Sequence, residues 1–359
     1  MNKIVKLYQW TTSIPLLACI IYFSGLLDNN FVFQIIAGIL LMFCVMSAVH
    51  HSEIIAHRVG EPFGTIILAV SITIIEVAII ISLMTTGGKE YAAFARDTVY
   101  AAVMLILNGI VGLSLFLGGR KHHTQTFSPH SVKIALVSLV SIVAFTMIIP
   151  TFTNSETGPY YTERQLLFEI IACLVIYTAF ISAQTNRHRE YFISDESDKT
   201  ESKVHSISNS SLAISTLFLL ISLIIVVLLA KSLSIPIEQL VVSNGLPKSL
   251  VGIIIAAVIL LPEGISAVGA ARKNRLQTSL NLSLGSALAS IGLTIPAVSI
   301  ASYIYDFPLI LGLDILPIIL LIISIFTVML SLIGGRSNSV YGVVLLVNLF
   351  AYVFLTINP

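Results

Sequence analysis

Glu76 is the only charged residue between Glu61 and Lys89, and Glu263 is the only one between Lys248 and Arg272. Each interval is an apolar run long enough to cross a bilayer, for which about 20 residues suffice. Each glutamate stands near the middle of its run, where an ionisable side chain costs roughly 2.5–3.5 kcal/mol on insertion scales. Runs of spanning length recur along the chain and predict eleven transmembrane helices, at about 10–27, 31–52, 63–85, 98–118, 131–152, 165–184, 209–230, 249–271, 278–303, 309–333 and 339–357. Only 10% of the residues are charged, against about 25% in globular domains. The chain therefore reads as an all-α polytopic membrane protein.

The first run resembles a signal peptide, and Leu16-Leu17-Ala18-Cys19 hints at a lipoprotein cleavage site. The apolar stretch continues to Leu27 without a polar start after the cysteine, so a retained helix is expected. Cys19, Cys44 and Cys173 all lie inside apolar runs and form no C-x-x-C or Cys/His pair, which makes them packing residues rather than zinc ligands. Of the 19 lysines and arginines, only Lys89, Arg96, Arg164, Lys231 and Lys248 fall on one side of the predicted helices. The positive-inside rule then places the N-terminus in the cytoplasm and the C-terminus outside, in the plasma (inner) membrane.

The longest polar segment, 185–208, divides the chain into five helices on each side, with one extra helix at the N-terminus. The expected organisation is an extra helix within 1–30, a first repeat over 31–184, a cytoplasmic linker over 185–208 and a second repeat over 209–359. Five is odd, so the second repeat enters the membrane inverted, as in many secondary transporters whose sites lie at the midplane. Glu76 and Glu263 each fall on the second helix of a half. Seven residues before each stands an alanine (Ala69, Ala256), and eleven before each a small residue (Thr65, Gly252). Thr73 joins the first face; Ser266, Ala267 and Ala270 extend the second, although Leu83 stands where Ala270 would be. Small residues let membrane helices approach closely, so both glutamates are expected to face the bundle.

The next helix of each half is also polar. Ser279, Ser283, Ser286, Ser290 and Thr294 fall on one face of the ninth helix, with Asn281 near them and Gly285 offering room for a neighbouring backbone. The fourth helix carries Asn108-Gly109, with Gly112 one turn on. Two carboxylates, a carboxamide and hydroxyls make an oxygen-only donor set, which suits hard cations such as Ca²⁺ or Na⁺. A carboxyl group withdrawn from water binds protons more readily, so such a pair could exchange one divalent cation for two protons. The ordinary alternative for the serines is back-bonding to carbonyls, and for Asn108 an interhelical hydrogen bond.

Other titratable residues suggest lesser roles. Glu169 and Asp314 lie near the outer ends of their runs, with side chains expected to reach solvent or to line an outer path. His50, Glu53 and His57 share a face at the cytoplasmic end of the second helix, as interfacial residues or as a metal or pH sensor. His122 and His123, beside Arg120-Lys121, read as an inside anchor, and the stretch from Asp195 to Glu201 as a solvated linker without EF-hand spacing.

The segment His57-Arg58-Val59-Gly60-Glu61-Pro62-Phe63-Gly64-Thr65, continuing to Glu76-Val77, resembles bacterial sodium/calcium–proton antiporters of the ChaA type. So do Leu261-Pro262-Glu263-Gly264-Ile265-Ser266, Asn274 to Asn281 and Gly285-Ser286-Ala287-Leu288. These antiporters belong to the calcium/cation antiporter superfamily, with the cation/proton exchangers. The resemblance implies a ten-helix core plus one helix, with Glu76 and Glu263 as the essential carboxylates. It implies Asn108 as the polar residue of the first repeat, and Ser286 and Ser290 as those of the second. Where the superfamily often has Gly-Asn before its glutamate, this chain has Ile72-Thr73 and Ile259-Leu260. Fewer carboxamides leave Ca²⁺, Na⁺ and K⁺ all as candidate cargo.

The expected function is export of Ca²⁺, with Na⁺ or K⁺ as alternatives, in exchange for protons by alternating access. No prosthetic group and no nucleic-acid partner is expected; inorganic cations, protons and lipid are, and a homo-oligomer is left open. The rival readings are a proton-coupled exporter of organic cations, a channel and an intramembrane enzyme. Against the last, no H-E-x-x-H, G-x-S-x-G or phosphate-binding glycine loop occurs.

Overall fold

The computed structural model describes residues 2–25, 31–59, 63–154, 158–192 and 209–358. They form eleven helical rods: α1 (Asn2–Phe23), α2 (Phe31–Val59), α3 (Phe63–Gly87), α4 (Gly88–His122), α5 (Pro129–Phe152), α6 (Glu163–Arg187), α7 (Asn209–Ser243), α8 (Ser249–Arg272), α9 (Leu276–Tyr305), α10 (Ile315–Leu332) and α11 (Ser339–Ile357). Among the described residues nine of these, α2 and α4 to α11, are long and apolar enough to cross a membrane; α1 and α3 contribute the shorter apolar stretches Trp10–Phe23 and Ala69–Thr85.

Several boundaries differ from expectation: α1 starts at Asn2, α2 runs on to Val59, and the starts of α4 and α10 and the end of α7 have moved. α4 begins at Gly88 rather than near 98, because the charges of its first turns are paired. Asp97 takes Arg96 at 2.8 Å, and Arg96 Nη1 also donates to the Gly312 carbonyl at 2.7 Å. Gly88 itself adopts φ +59°, which ends α3 and lets α4 start at once. α7 continues through Lys231 and Pro236 to Ser243. α10 starts only at Ile315, because the preceding strand-like segment bonds elsewhere: Gly312 N–H donates to Pro159 O and Leu313 N–H to Met147 O. A Cβ on Gly312 would run into Thr151 and Pro159.

Two compact units are present, and neither is a half of the chain. One comprises Met1–Thr86 with Val204–Pro262, and the other Gly87–Lys203 with Glu263–Pro359, so that α8 changes unit between Pro262 and Glu263. A repeat describes chain topology whereas a compact unit describes packing, and both units draw helices from both halves.

In the first unit α2 packs on α1 and α7 through small and hydroxyl residues. Ser47 Oγ donates to Thr11 O at 2.6 Å and lies 3.3 Å from Ser222 Oγ, beside the fully buried Ala18, Ala37 and Cys44. In the second unit α4 and α11 cross closely at Gly112 and Gly342; a Cβ on Gly342 would strike the backbone of Phe116 and Gly112. Close crossings at glycine are how helices associate where no hydrophobic drive separates them from lipid. A short antiparallel pair, β1 (Gln125–Thr126) and β2 (Arg336–Ser337), ties the α4–α5 and α10–α11 loops. Lys121 Nζ and Gln125 Nε2 donate to the Arg272 and Ala271 carbonyls at the end of α8, where Ala271 O also accepts from the Asn274 N–H.

Four rods contain wider π-helical turns: Leu105–Ile110 in α4, Ala144–Ile148 in α5, Ala183–Arg187 at the end of α6 and Ser290–Thr294 in α9. Such turns leave the regular bonding ladder and concentrate at functional positions.

Candidate cation-binding site

Glu76 lies on α3 with a relative exposure of 4%, flanked by the buried Ser71 and Thr73. The Thr73 hydroxyl donates back to Ala69 O at 2.9 Å, which is the ordinary role of a hydroxyl in a membrane helix. Glu263 lies half-buried on α8, and Ser286 Oγ of α9 donates to its Oε2 at 2.7 Å. The donor is neutral, so it orients the carboxylate without cancelling its charge. Gly264, next in sequence, faces Ile110 of the π turn in α4, where an added Cβ would stand 3.4 Å from the Ile110 side chain.

That π turn presents Asn108. Its Nδ2 donates to Ser324 Oγ of α10 at 2.9 Å and to Met104 O at 3.2 Å. Its Oδ1 is buried and, among the described residues, accepts no hydrogen bond. A carboxamide oxygen in that state is withdrawn from water and open to a further partner. The π turn of α9 presents Ser290 and Thr294, both buried. Asn108 and Ser290 thus occupy matching irregularities in α4 and α9. These two helices also meet directly through Ser114 and Ser279, whose hydroxyls are 2.9 Å apart.

Not every expected residue joins this group. Asn281 is committed to the fold: its Nδ2 donates to Phe192 O at 2.6 Å, and its Oδ1 accepts from Gln277. Ser266 is exposed on α8. Ser283 back-bonds to Ser279 O at 2.8 Å. Among the described residues nothing comes within 4 Å of where a Gly285 Cβ would be, so the close backbone approach expected there does not occur.

Asp314 is exposed at the start of α10 and lines a cavity of about 440 Å³ with Thr151, Thr153, Asn154, Gly158, Pro159 and Leu313. Glu169, expected to reach solvent, is instead fully buried. It points into the bundle because the only stripe of α6 that packs inward is Glu169, Cys173, Tyr177 and Phe180. His50 is half-buried, and its neighbour His51, missed by the reading of one polar face, is fully buried and stacked on Phe218. The side chain of His57 and the acidic stretch from Asp195 to Glu201 lie outside the described residues. His122 accompanies Lys121 at the end of α8, with Nε2 3.1 Å from Arg272 O.

Sequence reasoning also missed Ser324, the partner of Asn108. The signal was present: it is the first hydroxyl of α10, after nine apolar residues.

Nine described helices long and apolar enough to cross a membrane, with carboxylates, hydroxyls and a carboxamide on them, mark a polytopic membrane protein. The sodium/calcium exchanger protein profile matches residues 29–186 and 214–358, and the chain belongs to that family, whose members are secondary transporters rather than enzymes. A protein of Sinorhizobium fredii with the provisional name ionic transporter y4hA is 42% identical over 98% of this chain and 96% of its own length. The sodium-potassium/proton antiporter ChaA of Escherichia coli is 32% identical over 99% of this chain and 98% of its own. The solved structure of native YfkE, a Ca²⁺/H⁺ antiporter, superposes with a TM-score of 0.75 at 18% identity, over 98% of this chain and 99% of that one.

Proposed function

We propose that this protein is a cation/proton antiporter that exports Ca²⁺, with Na⁺ or K⁺ as alternative cargo, and that the cation and protons compete for Glu76 and Glu263. The observation that carries this reading is the 2.7 Å bond from Ser286 to Glu263, made by a neutral hydroxyl. The bond aims one carboxylate oxygen of Glu263 towards α9, and a carboxylate partly withdrawn from water binds a cation or a proton more readily than one in bulk solvent. A cation and a proton can occupy it in turn. Each unit offers oxygen donors, Glu76 and Thr73 in the one and Glu263, Asn108 Oδ1 and Ser290 in the other, a chemistry that suits a hard cation held at partly dehydrated oxygens. Exchange of one Ca²⁺ for two protons leaves no net buried charge in either loaded state.

The two carboxylates stand at matching places in two inverted five-helix repeats, and alternating access follows from rocking of one set of helices against another around the ion. The relative named as a sodium-potassium/proton antiporter covers nearly the whole chain, which supports proton coupling and keeps monovalent cargo in contention. The positive-inside pattern supports a cytoplasmic N-terminus in the inner membrane.

The deciding experiment uses purified protein in proteoliposomes with an imposed pH gradient and a lumenal pH dye. Ca²⁺, Na⁺ or K⁺ should each be tested for proton movement against its own gradient. Cation-dependent proton movement supports the proposal and ranks the ions. Conductance without proton counter-movement would make the protein a channel, and a response to organic cations alone would replace the cargo.

A further inference from the structure

Glu169 stands apart from the residues assigned to the cation. Its carboxyl is fully buried on α6, about 9 Å along the helix from its Glu163 start at 1.5 Å per residue. Oε1 accepts from Cys173 Sγ at 3.3 Å. Oε2 is buried and has no hydrogen-bond partner among the described residues; neither has the buried Ser299 Oγ, which lies beside the carboxyl on α9. Among the described residues no positive charge faces this group from the elements packed on it; Arg164, on its own helix, is exposed. On α6 its neighbours along the buried stripe are Cys173 and Tyr177. α5 keeps its His130 and Lys133 at its far end, and α9 carries no charged residue from Leu276 to Tyr305. From the loop before α6, Tyr161 is the near titratable group, and its hydroxyl already donates to Phe145 O at 2.7 Å.

An apolar side chain would fill this stripe at less cost, and a structural carboxylate would show a paired cation. We propose that Glu169 is a proton-binding residue of the exchanger, separate from the cation site. Its Oε2 takes a proton from water at the Thr162 end of α6 and, once protonated, donates it in a hydrogen bond to Ser299 Oγ. Loss of the proton puts a negative charge on this seam with only the neutral hydroxyl of Ser299 and thiol of Cys173 to meet it, which loosens the contact between the two helices. The seam bears on transport because α6 also packs against the π turn that holds Ser290 and Thr294: Gly292 of that turn lies against Tyr177, leaving 3.4 Å for a Cβ. Proton occupancy of Glu169 thereby sets how α9 offers its hydroxyls. The inference rests on the antiport reading for its consequence, but not for the protonation itself.

The test is infrared difference spectroscopy of the reconstituted protein between acid and alkaline pH, with Glu169→Gln and Ser299→Ala. The proposal expects the carbonyl stretch of a protonated buried carboxylic acid, its loss in Glu169→Gln and a shifted frequency in Ser299→Ala. Transport by Glu169→Gln should show a flattened pH profile, with the Ca²⁺ Kd changed by no more than about a factor of two. A wild-type band unaffected by Glu169→Gln would overturn the assignment, as would a pH profile identical to wild type. A large loss of Ca²⁺ affinity would make Glu169 a cation ligand and also overturn it. Absence of proton-coupled transport in the wild type would sink the antiport reading, while the infrared band would still decide Glu169.

Discussion

Ser286 and Glu263, 23 residues apart on adjacent helices, are joined by a hydrogen bond of 2.7 Å from the serine hydroxyl to a carboxylate oxygen. The bond fixes one oxygen of the carboxylate towards α9. Ser286→Ala removes a bond to a charged group, worth about 1.5–3 kcal/mol. The expected result is a rise of about tenfold or more in the KM for cation-stimulated proton movement. An unchanged KM would return Ser286 to packing.

Glu76→Gln and Glu263→Gln keep the side-chain volume and remove the ability to exchange a proton for a cation. Each should abolish exchange while the protein still reaches the membrane and elutes as a single folded species. Proton-coupled transport retained by either variant would contradict the assigned competition.

Ser324→Ala should release the Asn108 carboxamide without touching a carboxylate. Interhelical hydrogen bonds in membranes average about 0.6 kcal/mol, so little stability should be lost. Selectivity should suffer instead, because Asn108 Oδ1 is held in place by the bonds its amide makes. The check is the ratio of Ca²⁺ to Na⁺ transport, which should move towards one, with Ser290→Ala shifting it through the matching turn of α9.

Gly342→Leu should weaken the fold by overpacking, which costs typically about 1–3 kcal/mol in tightly packed cores and more where backbone is struck. Gly285→Ala, which fills open space, should leave the melting temperature in detergent unchanged. Equal melting temperatures for both variants would show that α4 and α11 can separate freely.

Gln277→Leu should loosen the loop ends. Gln277 Nε2 donates to Ser131 and Asn281, and its Oε1 accepts from Ser128 N–H at 2.6 Å. Removing it leaves several buried partners unpaired, at about 1–3 kcal/mol each. Faster amide exchange at 128–131 and at Phe192 would be the signature, with the cation Kd unaltered.

Much of this was legible along the chain. The placement of Glu76 and Glu263, the polarity of Asn108 and Ser286, and the number of helices all follow from where charge is absent. Asn281 and Ser266 show the limit of that reading. Both belong to helices rich in site residues, yet one is spent on Phe192 and the other is exposed. A regular 3.6-residue period assigns residues to faces, and it loses the register wherever a π turn widens the helix, as at Leu105–Ile110 and Ser290–Thr294.

By itself the amino-acid sequence determined that the chain must fold as spanning helices, because lipid offers no partner to an unpaired backbone group. It also set Glu76 and Glu263 inside long apolar runs. Tertiary structure decided which neighbours those helices meet. It seated Ser286 on Glu263, gave the amide of Asn108 to Ser324, and sealed Glu169 inside where its position near a helix end pointed to solvent. Side-chain partners on different helices are chosen by packing in three dimensions, and no local pattern of polarity encodes that choice.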